Sequence, residues 1–300
     1  MNETVAVIVT YNRKQLLKEC LESLLNQQSY NLDVIIIDNN SNDGTEYFIK
    51  DYIEHNNIIY KKLQKNIGGA GGFYEGIKLA IECDYRYIWI MDDDTIPDFD
   101  ALRGFYVAKE TVNDDFGYMA SYVKWVDGNY CKMNATRPCD EWTEHEQLLK
   151  KGLLRIVSAS FVSLYVKADV IRKVGLPIKE FFIWGDDIEF TSRISKKYPC
   201  FFCADSIVVH KTKNNVGADI YKDGKDRLKN YEYLMRNEFY IAKRKGRISG
   251  IKFFIRGFGK IISVGLKAPH YKVQKMYVLF KGLVKGIVFN PKIHYMDDKE

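Results

Sequence analysis

The chain has 300 residues, 46% hydrophobic and 28% charged, with six prolines and twenty-one glycines. That balance excludes a disordered, collagen-like or low-complexity chain and supplies enough apolar surface for a substantial core. The formal charge of +6 averages two unlike parts: residues 241–300 hold fourteen Lys or Arg against three acids, while the first 240 residues sum to −5. No acid occurs between Glu238 and Asp297.

The sequence runs from Met1-Asn2-Glu3-Thr4 directly into Val5-Ala6-Val7-Ile8-Val9, with no basic region or small-residue cleavage site. This reads as a first strand and not a signal peptide. Nothing reaches the ~18–20 uninterrupted apolar residues of a membrane span. The six cysteines are scattered, the Cys200/Cys203 pair included, and read as ordinary buried thiols in a reducing, cytosolic setting.

Strand and helix then alternate. Val5–Thr10 is a strand, and Leu16, Leu17, Cys20, Leu21, Leu24 and Leu25 share one face of a helix over 14–27. Val34–Ile37 is a second strand, ending at Asp38, and the turn 39–44 leads to a second helix. Ile58–Lys62 is a third strand, followed by a glycine loop over 66–72, a helix over 73–83 and a fourth strand, Tyr87–Met91. Strand-like runs follow at 117–125, 154–166 and 207–210, with a candidate mobile loop at 211–228. Parallel strands need crossovers, so this order predicts an α/β fold with a doubly covered sheet. Ligands of such sheets lie beyond the carboxyl ends of the strands.

Those ends are polar. Strand one ends Thr10-Tyr11-Asn12-Arg13, strand two Asp38-Asn39, and strand four Asp92-Asp93-Asp94. Side chains alternate along extended backbone, so Asp92 and Asp94 point one way and Asp93 the other. Two carboxylates on one side suit a hard divalent cation and, through it, phosphate oxygens. The glycine loop fits neither the dinucleotide nor the P-loop pattern, but it permits close backbone approach at a helix N-terminus. Gly185-Asp186-Asp187-Ile188-Glu189 reads as a helix start, with Asp186 as N-cap, Glu189 completing a capping box, and Glu189 paired to Arg193. Asp187 in the first turn is kept ionised by the helix dipole, as a general base requires. His210 ends another apolar strand, and imidazole beside carboxylates suits manganese.

In this order the motifs resemble the family 2 glycosyltransferases of GT-A fold, and among them the galactofuranosyl- and rhamnosyltransferase-like members. The match runs from about residue 4 to 215 through 9–13, 38–45, 66–73, 92–94, 184–193 and His210. The resemblance implies a doubly wound, Rossmann-like mixed sheet over residues 1–228, and 229–300 form a C-terminal helical extension. It implies an inverting transfer of a sugar from a nucleotide diphosphate-sugar to a hydroxyl of a glycan or lipid-linked acceptor. Asp187 is then the base, and Trp184, Gly185 and Asp186 lie on the acceptor side; Asp186, where most of the family has Glu, fits the galactofuranosyltransferase-like branch. The donor falls to Thr10, Tyr11, Asn12, Arg13, Asp38, Asn39, Asn66, Gly69, Gly72, Asp92 and Asp93. Mn²⁺ or Mg²⁺ falls to Asp92, Asp94 and His210. UDP-galactofuranose is the first donor suggested and dTDP-rhamnose the second.

The tail carries a different pattern. Lys252, Arg256, Lys260, Ser263 and Lys267 recur at helical spacing beside a stripe of Ile251, Phe254, Ile255, Phe258, Ile261 and Ile262. A weaker repeat covers 273–287. Residues 246–290 therefore read as basic amphipathic helices for an anionic membrane surface, placing the protein on the inner face of the cell membrane. The competing reading packs the stripe on the catalytic domain or on a second subunit, and homo-oligomerisation stays open. A nucleotidyltransferase would carry a glycine-rich basic loop where Thr10–Arg13 stands. A nucleic-acid binder leaves the acidic strand ends unexplained, so no nucleic-acid partner is expected.

Overall fold

The alternating apolar runs close into one sheet in the computed structural model, which describes residues 2–28, 31–55 and 57–298. In chain order the body comprises β1 (Thr4–Thr10), α1 (Lys14–Leu25), β2 (Asp33–Asp38), α2 (Thr45–Phe48), α3 (Lys50–His55), β3 (Ile58–Lys62), α4 (Gly68–Glu82), β4 (Tyr87–Asp92), β5 (Thr95–Pro97) and α5 (Ala101–Thr111). It continues with β6 (Tyr118–Trp125), β7 (Arg137–Pro138), α6 (Glu146–Leu149), β8 (Leu153–Ser158), β9 (Leu164–Lys167), α7 (Ala168–Val174), α8 (Asp186–Ser195) and β10 (Phe201–His210). The helical extension is α9 (Leu228–Arg244), α10 (Arg247–Lys267) and α11 (Lys272–Val288).

The strand order is β3-β2-β1-β4-β9-β6-β10-β8-β7, with β5 paired to β10. β1 through β4 are mutually parallel; β9 then runs antiparallel to both β4 and β6, so the sheet is mixed. Residue alternation divides the core between two faces. Val5, Val7 and Val9 pack with Phe73 and Ile77 of α4, whereas Ala6 and Ile8 pack with Leu17 and Leu21 of α1 and Phe105 of α5.

Four expectations need correction. Gly68–Gly72 is not a loop ahead of a helix but the opening of α4 itself. A Cβ on Gly72 would sit 2.5 Å from Val9 Cγ1, so this glycine lets the helix lie close on β1. The run 154–166 is two strands, parted by residues 159–163. Finally, β10 begins at Phe201 rather than 207, with a register shift between Cys203 and Ile207.

The fourth concerns α8. Its N-cap is Gly185, in left-handed backbone at φ 89°, and no side chain caps the helix. Asp186 is thus the first helical residue, and there is no capping box. Glu189 instead pairs with Arg193 at 2.9 Å, and Arg193 also donates to the carbonyls of Val174, Gly175 and Leu176.

The C-terminal helices share their own core, built on Tyr231, Met235, Phe239, Ile261, Val264, Leu279 and Leu283. They are also keyed to the body. Asn237 is fully buried, and its amide donates to the carbonyls of Phe181 (3.0 Å), Ile183 (3.2 Å) and Trp184 (2.8 Å). Phe182 and Trp184 hold positive φ, 66° and 63°, so this segment is a strained turn braced by α9.

Candidate active site

The sheet edge draws three ligand-type groups together. β4 delivers Asp92 at its end, and the chain turns through Asp93-Asp94 into β5, whose Thr95 registers with His210 on β10. His210 Nε2 lies 3.1 Å from Asp94 Oδ1, and one ligand atom each from Asp92, Asp94 and His210 fall within 4.8 Å of one another. On its other side His210 Nδ1 is 2.8 Å from Asn134 Oδ1, which can only accept, so Nδ1 carries the proton and Nε2 faces the carboxylates.

The electrostatics match a cation site. Burial, then the neighbouring Asp94, pushes Asp92 up to about 7, and burial pushes Asp93 up to about 6. Asp94 resists its own burial and stays below the usual carboxylate range, because His210 and Arg13 both bond it. Burial likewise opposes charge on His210, but its bond to Asp94 raises it to about 10. A proton on His210 and the Arg13 guanidinium, 2.8 Å from Asp94, thus supply positive charge to a crowded set of acids. One imidazole nitrogen oriented from behind and two converging carboxylates suit Mn²⁺ or Mg²⁺.

Asp92 and Asp94 do share one side, but through the turn at Asp93-Asp94 rather than through alternation, since β4 ends at Asp92. Asp92 and Asp94 face the cleft, while Asp93 accepts from Thr10 Oγ1 at 2.7 Å and from Arg13 at 3.2 Å. The cleft, about 520 Å³, gathers Arg13, Gly69, Asp92, Asp94, Trp184, Gly185, Asp186, Asp187 and His210.

Other residues singled out in the sequence form the supporting shell rather than the cleft lining. Asp38 is fully buried, accepting from the Ser41 amide (2.6 Å) and the Tyr60 hydroxyl (2.5 Å). Asn39 clamps the glycine segment, taking the Ile67 amide and donating to the Gly68 carbonyl, both at 2.9 Å. Asn12 Oδ1 accepts from the Asn42 amide, and Asn66 Oδ1 from the Gly68 amide, each at 2.8 Å. Tyr11 stands exposed at the rim. Within the glycine run the roles differ. A Cβ on Gly68 would run into the Phe182 carbonyl, whereas nothing lies within 4 Å of a Cβ on Gly69.

Asp186 and Asp187 open α8 and line the same cleft. Burial and the adjacent Asp187 raise Asp186 well above the carboxylate range, and burial pushes Asp187 up to about 6. Asp187 Oδ1 accepts the Ile188 amide at 2.7 Å, a bond that favours its charged form against the burial. Arg227 lies over the Trp184 ring, 5.2 Å from its centroid, and adds a cation to the cleft. Arg227, Asn134 and the brace Asn237 carry no sequence pattern that singles them out.

A family model described as glycosyl transferase family 2 matches residues 5–167. An abequosyltransferase of Salmonella typhimurium is 39% identical over 104 residues, 33% of this chain and 31% of that protein. A galactofuranosyltransferase of Mycolicibacterium smegmatis is 23% identical over 255 residues, covering 80% of this chain and 83% of that protein. The chain thus spans most of the second relative and under a third of the first. Among solved structures, residues 1–349 of S. aureus TarS superpose with a TM-score of 0.57 at 15% identity, over 96% of this chain and 72% of that one. GalNAc-T7 with UDP, GalNAc and Mn²⁺ gives a TM-score of 0.63 at 14% identity, over 81% of this chain and 48% of that one. These likenesses show a shared fold, the mixed-sheet GT-A architecture with a helical C-terminal region. The matched segment exceeds half the chain and runs from β1 through the acidic triplet to β9; the chain belongs to glycosyl transferase family 2.

Proposed function

We propose that this protein is an inverting, metal-dependent glycosyltransferase of cell-surface polysaccharide synthesis, moving a sugar from a nucleotide diphosphate donor to a hydroxyl of a glycan or lipid-linked acceptor. The observation that carries this reading is that the Asp92–Asp94–His210 set and Asp187 line one cleft. Bound there, Mn²⁺ or Mg²⁺ supplies Lewis-acid neutralisation of charge on the departing diphosphate.

The chain's own residues do the rest. Asn134 accepts from His210 Nδ1 and so aims Nε2 at the carboxylates, where a metal ion would take the place of the Nε2 proton now bonded to Asp94. Gly69 leaves the backbone bare where the donor lies, and Asn39 holds that backbone in place. Asp187 takes the proton of the acceptor hydroxyl as its oxygen attacks the anomeric carbon and the bond to the diphosphate breaks. One displacement inverts the centre and needs no covalent intermediate. Burial and the neighbouring Asp187 raise Asp186 further than burial alone raises Asp187, which favours Asp187 as the member of the pair that accepts the proton.

The mycobacterial relative supports UDP-galactofuranose as first donor, with dTDP-rhamnose second. TarS structures with UDP and with UDP-GlcNAc support a nucleotide-sugar more generally. The test is release of UDP or dTDP from a panel of sugar nucleotides, with permeabilised membranes as acceptor source. One donor should be consumed with inversion. Pyrophosphate release from a nucleoside triphosphate and a sugar phosphate, with no diphosphate release from any donor, would point to a nucleotidyltransferase instead.

A further inference from the structure

We infer that the outer faces of α10 and α11 together form a docking surface for an anionic lipid bilayer. This inference is independent of the sugar-transfer reading. The two helices pack antiparallel, and glycines set how closely: a Cβ on Gly257 would meet Leu283 at 3.1 Å, and one on Gly265 would meet Met276 at 2.6 Å. Their inner face is filled by Gly257, Ile261 and Val264 from α10, with Leu279, Leu283 and Gly286 from α11. Phe254 and Ile261, which periodicity assigns to the outer stripe, turn toward this core.

Packing is thus satisfied by one set of apolar residues, and a second set is left facing out. Ile248, Ile251, Ile255, Phe258, Ile262 and Leu266 recur at intervals of three or four, from 40% to 74% exposed. On α11, Val273, Tyr277, Phe280, Val284 and Ile287 recur at the same spacing, from 44% to 76% exposed. An edge contact between Phe258 and Phe280, centroids 6.4 Å apart, joins the two stripes into one face. Soluble monomers rarely expose a contiguous patch of this kind.

Charge selects the occupant. Several tail bases already have internal work: Lys281 and Lys285 pair with Glu232, Lys275 is buried on the Tyr221 carbonyl, and Lys243 caps the last carbonyls of α11. Lys252, Arg256, Lys260 and Lys267 are different. They follow one flank of the α10 ridge, and among the described residues none makes an ion pair. Half-buried Glu238 of α9 lies beside Lys260 and shares a groove with Lys252 and Arg256, but one acid against four bases leaves the face positive, so a second copy of it would be repelled, whereas anionic headgroups complement it. Among the described residues no helix is long and apolar enough to cross a membrane, which leaves a helix pair lying in the interface.

Because α10 and α11 share a core with α9, the test uses surface variants of the full chain rather than a truncation. Flotation with phosphatidylcholine vesicles, with and without phosphatidylglycerol, reads the binding. The wild type should float only with phosphatidylglycerol present, and more weakly as salt rises. Ile255→Asp with Phe258→Asp, and separately Lys252→Glu with Arg256→Glu, should each reduce binding by about tenfold or more. Circular dichroism and UDP binding should stay unchanged in both. Wild-type flotation by the apolar double variant would overturn the proposal. So would equal binding to neutral vesicles, or a dimer in solution that the same variants dissolve, which would assign the face to a second copy.

Discussion

The polar edge of the sheet and the outer face of the last two helices depart from the usual inside–outside rule in opposite directions. At the sheet edge Asp93, Asp94 and Asp186 are buried, each 7% exposed or less, whereas Ile248 and Leu266 on α10 are more than 70% exposed. Buried acids repel one another and lose hydration; exposed aliphatic chains order water. Arg13 and His210 answer part of the acidic charge within the chain, while among the described residues nothing covers the exposed aliphatic face. Local unfavourable features of this kind are where function is expected to sit. Between the two regions stands Asn237, whose amide ties α9 to the turn that presents Trp184 and α8. The helical extension therefore has an inner side that serves the site and an outer side that faces away from it.

The comparison can be pressed at several points. The largest effect is expected from Asp187→Asn, which should lower turnover by about 10²–10⁴-fold while donor affinity holds. In the wild type, turnover should fall as pH drops through about 6, where Asp187 takes up a proton, and steady-state rates against pH would show it. Next come two neighbouring glycines. Gly68→Ala forces a side chain against the Phe182 carbonyl at φ 79° and should destabilise the fold by roughly 2–4 kcal/mol in urea denaturation. Gly69→Ala should leave stability intact and weaken the donor, since its Cβ enters open cleft.

Asn237→Leu leaves three carbonyls without their donor and should cost about 1–3 kcal/mol. If the brace matters to the site, kcat should fall more than donor affinity; unchanged kcat would detach the extension from catalysis. The smallest effect is on stability. The folded-state pKa of Asp187 lies above its ordinary 3.8, so its ionisation opposes folding as pH rises through about 6. Asp187→Asn should then gain roughly 1–2 kcal/mol at pH 8, the gain fading below pH 4. A melting-temperature series against pH would reveal it.

Much of this was legible in the sequence. β1, β2 and β4 are apolar runs, and the polar ends of β1 and β4 line the candidate cleft. Alternation predicts the pairing of Asp92 with Asp94, but a turn at Asp93-Asp94 produces it. What escaped is what depends on contacts distant in sequence. The glycines of α4 read as a loop because glycine disfavours helix, yet here the close approach of Val9 and Phe182 demands them. Asp186 read as an N-cap because Asp commonly is one; Gly185 takes that place, since α9 braces the preceding turn in left-handed backbone. Along α10, periodicity marks an apolar stripe but cannot say which half of it α11 covers.

The most direct test of the central claim is titration of UDP and dTDP into the protein with Mn²⁺ and then after EDTA, repeated with Asp94→Ala and with the α10 surface variants. One nucleotide should bind with Mn²⁺, lose that affinity both on chelation and in Asp94→Ala, and bind normally to the α10 variants. Undiminished affinity in EDTA and in Asp94→Ala would contradict the assignment of Asp92, Asp94 and His210 as a metal site at the donor's diphosphate.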